Sequence, residues 1–152
     1  MKNFISRSVD DTKKLAVIIA KILKRGDTLF LRGDLGAGKT TFVKYLISAL
    51  FNKSNLEITS PTFSIMNLYS DNDFTVAHMD LYRLKTKSDL IETGVMDSIG
   101  SNISLIEWPD LLSGIVDDFF EIFIKLKKNS TEREFEFNDT LAKLIDKNYE
   151  SF

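Results

Sequence analysis

The stretch from residue 28 to residue 50 constrains the fold more than any other part of this chain. Thr28-Leu29-Phe30-Leu31 is a short apolar run of β-favouring residues. It leads into Gly33-Asp34-Leu35-Gly36-Ala37-Gly38, and residues 39–50 then carry Phe42, Leu46, Ile47 and Leu50 at helical spacing. The order is strand, glycine loop, helix. Gly33-x-x-x-x-Gly38-Lys39-Thr40 matches the phosphate-cradling P-loop pattern at every fixed position. Glycines let backbone N–H groups turn inward around phosphate oxygens where side chains would obstruct them, and the helix adds the positive end of its dipole. Lys39 is placed to reach the β- and γ-phosphates, and the Thr40 hydroxyl to ligate Mg²⁺. A plain glycine turn between strand and helix accounts for the glycines but not for Lys39-Thr40 at this offset.

Around that junction the chain alternates helical and extended segments. Ser8 and Asp11 resemble a capping box with aspartate in the third position. Leu15, Ile18, Ile19, Ile22 and Leu23 then recur at helical spacing, with Gly26 as the expected stop. Residues 62–69 and 74–79 read as a hairpin joined by Ser70-Asp71-Asn72-Asp73. Residues 88–93 form a short helix ended by Gly94, and Ile103-Ser104-Leu105-Ile106 is a second buried strand. Apolar and polar residues alternate over 120–127 and 134–137, as in strands with one wetter face. Residues 140–149 close the chain as a helix with Leu141, Leu144 and Ile145 inward. The expected fold is an α/β sandwich of the P-loop NTPase type, with a central mixed, mostly parallel sheet flanked by helices, in a single domain over 1–152.

Composition removes several alternatives. The 152 residues hold no cysteine and one histidine, His78, which excludes disulfides, thiol chemistry and multi-histidine metal sites. Twenty Lys+Arg against 22 Asp+Glu leave a net charge of −2, a poor basis for binding nucleic acid unaided. No apolar run approaches the ~20 residues of a membrane span, so the expected setting is the cytoplasm, with no membrane contact.

A P-loop needs acidic groups at neighbouring strand ends to serve magnesium and to position the attacking water. Asp80 and Glu107 each end an apolar strand, and ligands of open α/β sheets gather at the carboxyl ends of strands. Which of the two orients water stays open at this point. Thr59-Ser60-Pro61-Thr62 lies where a switch segment would follow the P-loop helix, and Thr62 is a candidate sensor of the γ-phosphate. Arg83 and Arg133 are candidate phosphate or base contacts, Asp11 and Thr12 a candidate wall of the base pocket, and Trp108 core or pocket wall. His78 reads as a half-buried strand residue without a catalytic role. The exposed parts of Leu81-Tyr82-Arg83-Leu84 are the first candidate for a partner-facing patch.

Taken together, Gly33 to Thr41, Ser60-Pro61-Thr62-Phe63, His78-Met79-Asp80-Leu81-Tyr82-Arg83 and Ile106-Glu107-Trp108-Pro109 resemble, in order and spacing, the bacterial TsaE (YjeE) family. These are small P-loop ATPases of tRNA threonylcarbamoyladenosine synthesis. The P-loop is generic; the His-x-Asp-Leu-Tyr-Arg and Glu-Trp-Pro segments make the resemblance specific. The C-terminal third matches loosely, with Glu132-Arg133-Glu134 where the family often has Gly-Arg. The resemblance implies slow, Mg²⁺-dependent hydrolysis of ATP to ADP and phosphate. It implies action with a TsaB–TsaD heterodimer that modifies the adenosine beside the anticodon in tRNAs reading codons that begin with adenine. Most contact with tRNA would then fall to the partners.

By the same resemblance Gly33, Asp34, Leu35, Gly36, Ala37, Gly38, Lys39, Thr40 and Thr41 bind the phosphates. Thr40 and Glu107 serve magnesium, with Asp80 a further candidate ligand, and Asp80 and Thr62 serve hydrolysis or switching. Two other readings use the same loop: a small-molecule kinase and a regulatory nucleotide switch. The five arginines, Arg7, Arg25, Arg32, Arg83 and Arg133, are scattered and do not form the clamp a kinase needs. Asn52-Lys53-Ser54-Asn55 lacks the aspartate with which GTPases read guanine.

Overall fold

The computed structural model describes residues 1–128 and 131–149. Its strands are β1 (Asn3–Ser6), β2 (Thr28–Arg32), β3 (Met66–Ser70), β4 (Thr75–Asp80), β5 (Ile103–Glu107), β6 (Phe120–Leu126) and β7 (Arg133–Phe137). Its helices are α1 (Val9–Ile22), α2 (Lys39–Phe51), α3 (Lys87–Glu92), α4 (Val95–Ser98) and α5 (Asp139–Asn148), with a 3₁₀ turn at Pro109–Leu112. One sheet carries all seven strands in the order β1-β7-β6-β2-β5-β4-β3. The four central strands are mutually parallel, and β1, β7 and β3 join antiparallel at the two edges. This is the mixed sheet with a parallel centre that the sequence leads one to expect.

Alternation along the central strands sorts side chains onto two faces. Leu29, Leu31, Val76, Ile103, Leu105, Ile122 and Ile124 form one buried cluster with Leu15 and Ile19 of α1, Phe42 and Leu46 of α2, and Leu141 and Ile145 of α5. Phe30, Ala77, Met79 and Ile106 face the other way, with Leu90 of α3, Val95 of α4 and Leu112 of the 3₁₀ turn. Of the central strands, β2, β4 and β5 are buried on both faces and carry the near-continuous apolar runs seen in the sequence, whereas β6 alternates and leaves Phe123 exposed.

Several boundaries depart from expectation. Strand β1 is a four-residue edge strand, too short for its alternation to register in sequence, and it is held by pairing to β7. Helix α4 is a single turn and leaves no periodic signal. Helix α1 ends at Ile22, before Gly26, which instead sits at φ 92° in the turn that follows. The segment 62–65 was expected to be strand and is a turn. Ile65 N–H donates to Pro61 O at 2.8 Å, Ile65 takes φ 68°, and Asp80 N–H donates to Ile65 O at 2.9 Å. Pro61 has no N–H to give a ladder, and the turn it begins is pinned to the carboxyl end of β4.

The strand that feeds the glycine loop is anchored on both sides. Arg32, its last residue, pairs with Glu121 of β6 at 2.7 Å and with Asp110 of the 3₁₀ turn at 2.6 Å. Gly33 follows at φ 149°, where an added Cβ would stand 2.5 Å from the Ile124 carbonyl oxygen. Gly33→Ala is therefore expected to cost roughly 1–3 kcal/mol through crowding and backbone strain. That corresponds to a melting temperature lower by about 2–10 °C, measurable by thermal denaturation of the ligand-free protein.

Candidate phosphate-binding site

The loop from Gly33 to Lys39 wraps the N-terminus of α2. Gly36 and Gly38 adopt φ 79° and 108°, left-handed values that cost other residues far more. Among the described residues no side chain caps α2, so its first N–H groups and positive dipole end are left to the loop and the cleft before it. That cleft has a volume of about 380 Å³, and Lys39, Thr40, Thr62, Asp80, Glu107 and Trp108 line it.

Lys39 is buried, 5% exposed, and its ammonium donates to the backbone oxygens of Gly33 and, at 2.9 Å, Asp34. It also lies 4.1 Å from the centre of the Trp108 ring, a cation–π contact. Burial lowers the Lys39 pKa, opposed by the negative charges of Glu107, Asp80 and Asp34. Trp108 holds φ 56° immediately before Pro109 and packs against Tyr82, with ring centres 4.9 Å apart. The Tyr82–Trp108 pair thus makes an aromatic wall beside the lysine. Of the two expected places for Trp108, core or pocket wall, it takes the wall of this cleft.

The two carboxylates come from adjacent strand ends, since β4 and β5 pair in parallel with Asp80 opposite Glu107. Glu107 is 2% exposed, and its Oε1 accepts from the Thr40 hydroxyl at 2.8 Å. Asp80 accepts from the Tyr82 N–H at 3.0 Å and, at 3.5 Å, faces the Thr62 hydroxyl. Burial raises the Asp80 pKa; the Tyr82 N–H opposes the shift and the nearby Glu107 charge adds to it. Thr62 reaches this group because the Pro61 turn folds back onto β4.

His78 departs from expectation. It is fully buried, not half-buried, and its Nε2 lies 2.7 Å from Glu107 Oε2. Sequence carries only part of this: His78 and Asp80 stand two apart on one strand and so share a face, but the partner Glu107 is 29 residues away.

A second cleft of about 390 Å³ adjoins the first and shares Gly38, Thr41 and Arg133 with it. Arg133 Nε donates to Ala37 O at 2.9 Å, bracing the loop from β7. Thr12 lines the second cleft and hydrogen-bonds Ser6 at 2.6 Å. The Asp11 carboxylate accepts from the Arg7 N–H at 2.9 Å, one residue earlier than a capping box would use, and the Asp11 N–H donates to Ser8 Oγ. Among the other candidates, Leu35 is exposed and Ala37 buried. Arg83 lies over the Phe63 ring at 5.0 Å. Of the segment proposed as a partner patch, Leu81 is buried and only Tyr82 and Arg83 are exposed.

A glycine loop between β2 and α2, with a buried lysine and two acids at neighbouring strand ends, defines an α/β protein of the P-loop class. The family described as Threonylcarbamoyl adenosine biosynthesis protein TsaE matches residues 6–135. The tRNA threonylcarbamoyladenosine biosynthesis protein TsaE of Rickettsia conorii is 41% identical over 109 residues, 72% of this chain and 62% of the relative. The protein of the same description from Bacillus subtilis is 36% identical over 141 residues, 90% of this chain and 86% of the relative. A crystal structure of YdiB, also from Bacillus, superposes with a TM-score of 0.71 at 32% identity, covering 95% of this chain and 91% of that one. The chain belongs to the TsaE family. It spans a little under two thirds of the Rickettsia conorii relative and most of the Bacillus one. Among the described residues, no helix is long and apolar enough to cross a membrane.

The raised pKa of Asp80 carries a stability consequence. Its ionised form is disfavoured in the folded state, so the cost is absent below the unfolded value near 3.8 and complete above the folded pKa. Asp80→Asn removes that charge and is expected to raise the melting temperature at pH 7 by roughly 2–4 °C. The gain should vanish as the pH falls below about 3.8, and a gain unchanged in acid would contradict the burial argument.

Proposed function

We propose that this chain is a magnesium-dependent ATPase that hydrolyses ATP to ADP and phosphate in support of threonylcarbamoyl modification of tRNA. The reading includes a TsaB–TsaD heterodimer as partner, with tRNA touched mainly through that partner, in the cytoplasm. The observation that carries it is the Thr40–Glu107 hydrogen bond, which joins the last P-loop residue to a strand-end carboxylate beside Asp80. A fold that needed only a glycine turn would have no reason to bury this acid.

The donor set suits magnesium. Thr40 Oγ1 and Glu107 Oε1 are hard oxygens 2.8 Å apart. Among the described residues no group of three or more His, Cys, Asp or Glu side chains gathers into a metal cage. Magnesium takes one or two protein oxygens and completes its shell with water and substrate phosphates. The chemistry it supplies when bound is neutralisation of charge on the β- and γ-phosphate oxygens. Thr40 and Glu107 would hold it, which leaves Asp80, beside the Thr62 hydroxyl, as the carboxylate that orients water toward the γ-phosphate.

Lys39 supplies positive charge at the phosphates. In the ligand-free loop it is satisfied by the Gly33 and Asp34 oxygens, and it exchanges these for phosphate oxygens. Burial lowers its pKa, and the charges of Glu107, Asp80 and Asp34 oppose that shift. Arg133 and Thr41, which border both clefts, mark the passage from phosphates to nucleoside, with Thr12 on the far wall.

Phosphate release from ATP and Mg²⁺ tests this, measured for the chain alone and with the TsaB–TsaD pair. Slow release that the pair accelerates is expected. Lys39→Ala should abolish it, and Asp80→Ala and Glu107→Ala should each lower turnover by roughly 10²-fold while weakening nucleotide binding less. Transfer of phosphate to a metabolite rather than water would replace this reading with a kinase, and tight binding unaffected by the pair would remove the pathway assignment.

A further inference from the structure

We infer that His78 is a positioning residue for magnesium-dependent nucleotide binding, acting by fixing the Glu107 carboxylate. The inference rests on the proposed role of Glu107 at magnesium and extends it to a residue outside the cleft.

On the α2-facing side of the sheet, β4 presents Val76, His78 and Asp80, and β5 presents Ile103, Leu105 and Glu107 in register with them. Val76, Ile103 and Leu105 belong to the apolar core. His78 stands opposite Leu105, fully buried at a position where leucine or methionine would pack. Among the described residues its Nδ1 is buried without a hydrogen-bond partner, and such orphans are rare in folded proteins. Packing alone would not retain an imidazole here. The hydrogen bond it makes is the 2.7 Å contact from Nε2 to Glu107 Oε2. A carboxylate accepts, so Nε2 is the donor in this pair.

The two oxygens of Glu107 are thereby divided. Oε2 is tied to β4 behind it, and Oε1 meets the Thr40 hydroxyl at 2.8 Å in front. Turning the carboxylate breaks both contacts. With both residues almost wholly buried, no water competes for Oε2. The oxygen offered on the Thr40 side is thus held in one orientation before any ligand arrives. Partners of this kind, which orient a ligating group without touching the metal, change metal affinity by 10- to 100-fold when removed.

The test is the dissociation constant of ADP measured by calorimetry with Mg²⁺ and again with EDTA, for wild type, His78→Gln, His78→Asn and His78→Leu. Glutamine places an amide N–H near the position of Nε2; asparagine is one methylene too short. Wild type should bind ADP more tightly with Mg²⁺. His78→Gln should keep that gain to within about threefold, and His78→Asn and His78→Leu should lose about tenfold or more of it. Binding in EDTA should stay within about twofold throughout. A loosened core would weaken both conditions alike, so parallel losses overturn the inference, as does a full magnesium gain in His78→Leu. If His78→Leu does not fold, equal gains in the glutamine and asparagine variants overturn it, because both bury an amide and differ only in reach. A wild type that binds ADP equally well with and without Mg²⁺ instead sinks the magnesium reading itself, and the role of His78 with it.

Discussion

Glu107 is the point at which three elements meet. It ends β5, accepts from Thr40 at the start of α2, and is held by His78 from β4. A carboxylate at 2% exposure would be costly if unpaired, so these two bonds fix how α2 sits over the sheet as well as how the site is arranged. The parallel pairing of β4 with β5 brings Asp80 beside it. The strand order therefore sets the make-up of the site directly, through which strand ends are neighbours.

The same region concentrates charge where the protein could have had apolar packing. A buried ammonium, two carboxylates and an imidazole close the carboxyl end of a face on which the buried residues of β2, β4 and β5 are otherwise Leu, Ile and Val. Burial pushes the Asp80 pKa up and the Lys39 pKa down, each toward its neutral form, and the neighbouring opposite charges keep Lys39 from following that push fully. The left-handed backbone of Trp108 adds local strain beside them. Stability is given up here for charged groups already in place, and under the proposed function that lowers the reorganisation a nucleotide would require.

Much of this was legible in the sequence because the P-loop is a local pattern in which glycines, lysine and threonine occupy consecutive places. Its flanks also differ in pattern, a short continuous apolar run for β2 and a 3.6-residue apolar period for α2. Asp80 and Glu107 were legible for a related reason: each follows an apolar strand, and the carboxyl ends of parallel strands lie together. What stayed hidden depends on contacts remote in sequence. The Thr62 turn is fixed by Asp80 N–H, eighteen residues on, through Ile65 O. The contact of His78 with Glu107 follows from the pairing of β4 with β5, strands far apart in sequence. Strand β1 exists because β7 pairs with it, and four residues offer no pattern of their own.

That edge pairing matters to the site as well. In register, Ser6 of β1 lies opposite Arg133 of β7, Ser6 bonds Thr12 in α1, and Arg133 bonds the Ala37 carbonyl within the loop. A continuous path of contacts runs from α1 through the sheet edge to the P-loop, and it forms the boundary between the two clefts. Gly38 is part of this boundary, since a Cβ there would stand 2.9 Å from Arg133 Nε. The glycine at that place thus has two causes, a left-handed backbone at the helix start and an arginine packed against its face. The two ends of the chain, which contribute little to the motif pattern, brace the loop on the side that the central strands leave open.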